Sequence, residues 1–207
     1  MSLKLRVVPY ELPTRRDMPV GVVDWTVRPE RAVLLVHDMQ NYFLAAFAPE
    51  MRARLVDNAA ALRRRCADRA VRVAYTAQPG RMTAEDRGLL QDFWGAGMTS
   101  SDADRAIAAE LAPDAADWTF TKWRYSAFFR TDLLARMRAE GRDQLVVCGV
   151  YGHVGILTTA LDAYSNDVQV FLAGDAIGDF SADKHRQTLQ HTASCCARVA
   201  TAEELVP

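Results

Sequence analysis

A chain of 207 residues is long enough to bury one large core, and two domains sharing that length would each be small. Half of the residues are hydrophobic and a quarter charged, and the net charge of −1 gives no electrostatic reason to expect nucleic acid or an anionic membrane as partner. No apolar stretch approaches the roughly 20 residues that span a bilayer, the N-terminus lacks the apolar run of a secretory signal, and the four cysteines form no Cys-x-x-Cys pair. The expected compartment is therefore the cytoplasm.

Residues 1–30 contain Pro9, Pro13, Pro19 and Pro29 without sustained periodicity, which reads as an extended, surface-hugging arm. Such an arm has little core of its own to pack against, so a homodimer is expected. The run Ala32–His37 then reads as a strand buried on both faces of a parallel sheet. Asp38 follows at its carboxyl end, where open α/β sheets bind ligands. Tyr42 and Phe43 lie just beyond it. Aromatic neighbours would partly desolvate the carboxylate, which raises its pKa and suits it to proton transfer. The plainer alternative is an aspartate that caps the next helix.

Met51, Leu55, Ala59 and Leu62 fall at helical spacing within Pro49–Ala70, and Arg63-Arg64-Arg65 reads as a solvated face of that helix. A second strand is expected over Val71–Thr76. The connection from Gln78 to about Ala116 is long for a compact domain and includes Arg87, Phe93 and Trp94 beside Gly95 and Gly97. It fits a lid over a small anionic ligand, against the alternative of a surface helix with a packed Trp.

Trp118–Thr121 reads as a third strand, and Lys122 ends it among aromatic residues. A buried lysine needs a partner, and Asp38 at the same sheet edge is the obvious one. Pairing would lower the Asp38 pKa while desolvation raises it, and the sequence leaves that competition open. Leu133, Leu134 and Met137 mark a helix ended by Gly141; Leu145–Val150 is a fourth strand. Gly149, Gly152 and Gly155 follow, but their spacing of three and three, with Tyr151 between the first two, fails the dinucleotide-binding fingerprint. Asp175 therefore resembles a ribose-binding acid only superficially. Helices over His153–Tyr164 and Ala182–Cys196 and strands over Val168–Ala173 and Arg198–Ala200 complete the chain. Alternating strands and helices predict a parallel sheet covered on both faces.

The segments Leu-Leu-Val-His-Asp-Met-Gln at 34–40, Tyr-Thr-Ala-Gln-Pro-Gly at 75–80, Thr-Lys-Trp-Arg-Tyr-Ser-Ala-Phe at 121–128 and Cys-Gly-Val-Tyr-Gly-His-Val-Gly at 148–155 carry a resemblance. The chain resembles the isochorismatase-like hydrolase family over essentially its whole length, in particular the phenazine-pathway branch that cleaves 2-amino-2-deoxyisochorismate. The resemblance implies a single domain over 1–207. Its expected fold is three-layer α/β/α, with a six-stranded parallel sheet in the Rossmann-like order 3-2-1-4-5-6.

The family's amidohydrolase branch uses an Asp, a Lys and a Cys nucleophile, and the matching positions here are Asp38, Lys122 and Gly155. Glycine has no side chain with which to attack a carbonyl. The zinc pattern of nicotinamidases is likewise replaced by Thr76-Ala77-Gln78-Pro79, so no metal and no cofactor are expected. An acid without a nucleophile matches hydrolysis of a vinyl ether, in which the terminal carbon is protonated and water captures the cation. The resemblance makes Asp38 the proton donor, and Gln78, Arg87, Lys122, Tyr151 and the Gly155 backbone N–H at a helix start the groups that hold substrate oxygens. Trp94, Phe47, Tyr42 and Tyr125 would form the apolar wall, and Val150–Tyr151 is expected to be a cis bond. The substrate would be a small chorismate-derived molecule. Siderophore-pathway relatives carry a C-terminal carrier domain, and with no residues after Pro207 to form one, a free small-molecule product is expected. Two rival readings are an amidohydrolase with another nucleophile and a non-catalytic relative that only binds ligand.

Overall fold

The computed structural model describes residues 5–98 and 101–207. Six parallel strands form one sheet: β1 (Ala32–His37), β2 (Arg72–Ala77), β3 (Trp118–Thr121), β4 (Gln144–Val150), β5 (Gln169–Gly178) and β6 (Ala197–Ala200). Their order is β3-β2-β1-β4-β5-β6, as expected. The chain thus reverses its winding between β1 and β4, and a crevice opens there at the carboxyl ends of the strands.

Every residue of β1 is buried. Its side chains alternate between faces, Leu34 and Val36 entering one core and Val33 and Leu35 the other. Helix Pro49–Asp68 covers the first face with Met51, Leu55, Ala59 and Leu62, all buried. Pro49 sits in its first turn, where a missing N–H costs nothing. Helices Leu133–Ala139, Leu157–Ser165 and Ala182–Cys195 cover the second face. Among the described residues no helix is long and apolar enough to cross a membrane.

Three elements depart from the sequence reading. Strand β5 runs on to Gly178 because its pairing with β4 shifts register after Val147 and resumes at Gly149–Ile177. Gly174 and Asp175 interrupt the apolar run at that shift, so the pattern suggests an earlier end. The segment expected as one helix from His153 begins with a π-helical turn, Gly152–Ile156, before helix Leu157–Ser165. The arm also finds its own core: Val7 and Leu12 are buried in the first-face cluster, with Tyr10, Trp25 and Val27 packed on it. Val8 N–H donates to Phe180 O at 2.9 Å, and Asp179 N–H donates to the Tyr10 hydroxyl at 2.9 Å. Prolines space these apolar residues irregularly, so no period betrays them. Asp175, the superficial ribose-binding acid, instead accepts the Ala202 N–H at 2.7 Å and so fixes the start of the C-terminal helix Ala202–Leu205.

The long connection is folded into short helices, Ala84–Arg87, Leu90–Trp94 and Asp102–Arg105, and a 3-10 turn at Ala109–Leu111. Positions 99 and 100 of the expected lid lie outside the described residues.

Candidate active site

Asp38 leaves β1 with φ of +52°, a left-handed conformation that aspartate tolerates better than most residues. This turn keeps the carboxylate at the sheet edge instead of releasing it to solvent. Thr76, from β2, donates its hydroxyl to Oδ1 at 2.7 Å, and Lys122, just past β3, donates from Nζ to Oδ2 at 2.8 Å. Asp38 is 4% exposed and Lys122 2%. Burial pushes the Asp38 pKa up, but the Lys122 cation and the hydrogen bonds from Lys122 and Thr76 hold it below the ordinary carboxylate range. The competition left open by the sequence is thus decided for the ion pair, and the raised carboxyl expected from the aromatic neighbours is not what the geometry gives. Neighbouring His37 is pushed down to about 4 by burial, so it is neutral near pH 7 and Lys122 is the working counter-charge.

Asp38, Lys122, Gln78, Arg87, Trp94, Tyr125, Tyr42, Tyr151 and Gly155 line one pocket. Residues from four strand ends and the long connection meet there, which no local pattern encodes. Phe47 does not join them. It stacks behind Tyr151 with centroids 5.7 Å apart and an interplanar angle of 13°, buried in the core. Phe43 takes the wall position instead, because the short helix Asn41–Leu44 turns it inward.

Arg87 is 5% exposed, and its guanidinium is held by Gly95 O at 2.7 Å from Nε. Among the described residues no carboxylate pairs with it. Burial, joined by repulsion from Arg124, lowers its pKa, so an anionic ligand in the pocket would relieve a buried, uncompensated charge. Trp94 donates its indole N–H to the Tyr125 hydroxyl at 2.8 Å, tying the covering segment to the loop after β3. The Tyr151 hydroxyl donates to Phe43 O at 2.7 Å. What Tyr151 presents to the pocket is therefore chiefly its ring. Gly155 lies inside the π-helical turn and not at a helix start, because that turn precedes the regular helix.

Two supporting residues escape sequence reasoning. Gln40 donates to Gln78 O at 3.0 Å and to Arg105 O at 2.8 Å, and accepts the Gln78 N–H at 2.7 Å. It thereby fixes Gln78 and the base of the long connection; a glutamine three residues after a buried strand was its only signal. Asp179, fully buried after β5, accepts the His153 N–H at 2.7 Å and the His153 ring nitrogen at 2.5 Å. The peptide bond Val150–Tyr151 is cis, as the resemblance implied. None of the four cysteines lines the pocket. Among the described residues no three His, Cys, Asp or Glu side chains group as a metal-binding set.

The buried Asp38–Lys122 pair thus stands where the sheet reverses its winding, with Arg87 lining the same pocket. The isochorismatase domain matches residues 32–204, and the chain belongs to the isochorismatase family. A protein of Pseudomonas chlororaphis named probable isochorismatase is 58% identical over 97% of each chain. The phenazine biosynthesis protein PhzD1 of Pseudomonas aeruginosa is likewise 58% identical over 97% of each. Among solved structures, a cysteine hydrolase from Pseudomonas syringae superimposes with a TM-score of 0.77 at 24% identity, over 91% of this chain and 95% of that one. At that identity the last likeness concerns the fold.

Proposed function

We propose that this chain is an isochorismatase-type hydrolase that cleaves the enolpyruvyl ether of 2-amino-2-deoxyisochorismate, and of isochorismate, to pyruvate and a ring alcohol, which for the amino substrate is trans-2,3-dihydro-3-hydroxyanthranilate. One observation carries the reading: a buried Asp38–Lys122 pair faces the pocket while position 155 offers no nucleophile. The relatives' names, isochorismatase and phenazine biosynthesis protein, support the substrate class and a place in phenazine formation.

In this reading Asp38, once protonated, transfers its proton to the terminal CH₂ of the vinyl ether. Water captures the resulting oxocarbenium ion, and the hemiketal collapses to pyruvate and the ring alcohol. Lys122 and Thr76 hold Asp38 as the anion. A substrate carboxylate arriving beside Lys122 would draw that cation to itself and add its own charge, both of which raise the Asp38 pKa. Arg87 and Gln78 hold substrate oxygens, and Trp94, Tyr125, Tyr42 and the Tyr151 ring form the apolar wall. The reaction needs neither metal nor cofactor. We take residues 1–207 as one catalytic domain, working in the cytoplasm as a homodimer. With the arm packed on its own chain, the motive for association is the exposed pair Val20 and Val22, 99% and 79% accessible.

Purified protein incubated with each substrate, with and without a chelator, tests the reading. Stoichiometric pyruvate release unaffected by the chelator is the expected result. Ammonia release from simple amides without pyruvate would replace the reading with an amidohydrolase, and ligand binding without turnover would leave only a binding protein.

A further inference from the structure

His37 is the largest buried polar group beside the site for which the proposed reaction has no task. It is fully buried and does not line the pocket, and burial holds it neutral near pH 7, so it is not the acid. Its Nδ1 donates to Val150 O at 2.8 Å, and Nε2 lies 3.4 Å from the Thr159 hydroxyl. The ring is thus fixed at both nitrogens. Its backbone is fixed as well: β1 and β4 pair His37 with Gly149, and a Cβ on Gly149, whose φ is +119°, would lie 2.1 Å from His37 O.

The Cε1–Nε2 edge of this ring faces Gly155. A Cβ added there would lie 2.4 Å from His37 Cε1, 3.1 Å from Nε2 and 3.3 Å from Tyr125 O. A real Cβ does not approach a carbon that closely, so one of the two residues must move. The ring is fully buried and hydrogen-bonded to Val150 and Thr159, so moving it strains those bonds. It is also covalently next to Asp38, whose Oδ2 lies 3.8 Å from Nδ1.

We propose that His37 is a positioning and specificity-determining residue: its imidazole fills the space into which any side chain at 155 would project, keeps that position bare, and so holds the site to acid chemistry. The proposal deepens the acid-catalysis reading and rests on it for its functional meaning. The steric pairing of 37 with 155 stands independently. A side chain at 155 would push the ring toward Asp38 and disturb the orientation of the proton donor. A nucleophile at 155 would accordingly require a smaller residue at 37.

The test is a double-substitution cycle with Gly155→Ala, His37→Asn and the pair. Asparagine can place an amide N–H near the position of Nδ1, retaining a donor for Val150 O, while removing the Cε1–Nε2 edge. Gly155→Ala alone should lower kcat/KM for pyruvate release from isochorismate at least tenfold and lower the melting temperature. In the His37→Asn background the same alanine should cost less than threefold and leave melting unchanged. Equal cost in both backgrounds, by kcat/KM and by melting, overturns the proposal. The His37 Cε1–H resonance gives a readout that needs no second substitution: it must shift in Gly155→Ala, and an unmoved resonance also overturns it. If the wild-type protein releases no pyruvate, the functional reading fails, while the melting cycle and the resonance still decide the steric pair.

Discussion

Replacing Asp38 separates its two roles, because its carboxylate both holds Lys122 and supplies the proton. Asp38→Ala leaves the Lys122 ammonium, 2% exposed, without its anion; breaking a buried pair from one side costs about 3–5 kcal/mol, a large part of the roughly 5–15 kcal/mol that stabilises a typical domain. Asp38→Asn avoids most of that loss. Its carbonyl oxygen can accept from Lys122, where Oδ2 now accepts at 2.8 Å, and its NH₂ can donate to the Thr76 hydroxyl that now donates to Oδ1 at 2.7 Å. The amide has no proton acidic enough for carbon. The expected loss is the contribution of a general acid, roughly 10²- to 10⁴-fold, or about 3–5 kcal/mol of barrier at about 1.4 kcal/mol per decade. It should fall on kcat, with substrate binding retained, because the interaction belongs to the transition state. The assay couples pyruvate release to NADH oxidation, alongside circular dichroism and equilibrium binding. A folded Asp38→Asn variant within tenfold of wild type in kcat would mean that the proton comes from elsewhere, and the mechanism would be wrong.

Arg87→Ala should show the opposite kinetic signature: loss of a charged hydrogen bond worth about 1.5–3 kcal/mol, read mainly as a raised KM, and an unchanged KM would remove Arg87 from the substrate site. Acid should destabilise the fold through His37 and His185, each pushed from 6.5 down to about 4 by burial. Between those values the unfolded chain binds protons that the folded one refuses, so stability falls as pH drops from about 6.5 to 4, by up to about 1.4 kcal/mol per unit and histidine; denaturant titrations giving no such slope would contradict their burial. Tyr151→Phe removes the hydroxyl that donates to Phe43 O and should cost about 1–3 kcal/mol of stability, with less than threefold change in kcat/KM; a drop beyond tenfold would place that hydroxyl on the substrate. Sedimentation at micromolar concentration should give a dimer, and a monomer would sink the proposed assembly.

Local chemistry was enough for much of this molecule. The buried run Ala32–His37 fixes the central strand because only a strand covered on both faces tolerates unbroken Val and Leu. The alternation of such runs with helical stripes dictates a parallel layered sheet, and chain order along it puts Asp38, Gln78, Lys122 and Tyr151 at strand ends, where side chains can converge. The absence of a nucleophile at Gly155 is likewise a property of the sequence alone. Tertiary structure decided what depends on distance. The sign of the Asp38 shift follows from 2.8 Å to Lys122, a separation between residues 84 positions apart that no pattern contains. Phe43 lines the pocket from a one-turn helix, whereas Phe47, beyond that helix, stacks behind Tyr151. The arm's Val7 and Leu12 are core residues only because the first-face core receives them. Gly155 reads in sequence as a missing side chain; in three dimensions it is a position already occupied by the ring of His37. Local patterns report which face a residue prefers, whereas close approach between distant segments is settled only when the whole chain packs.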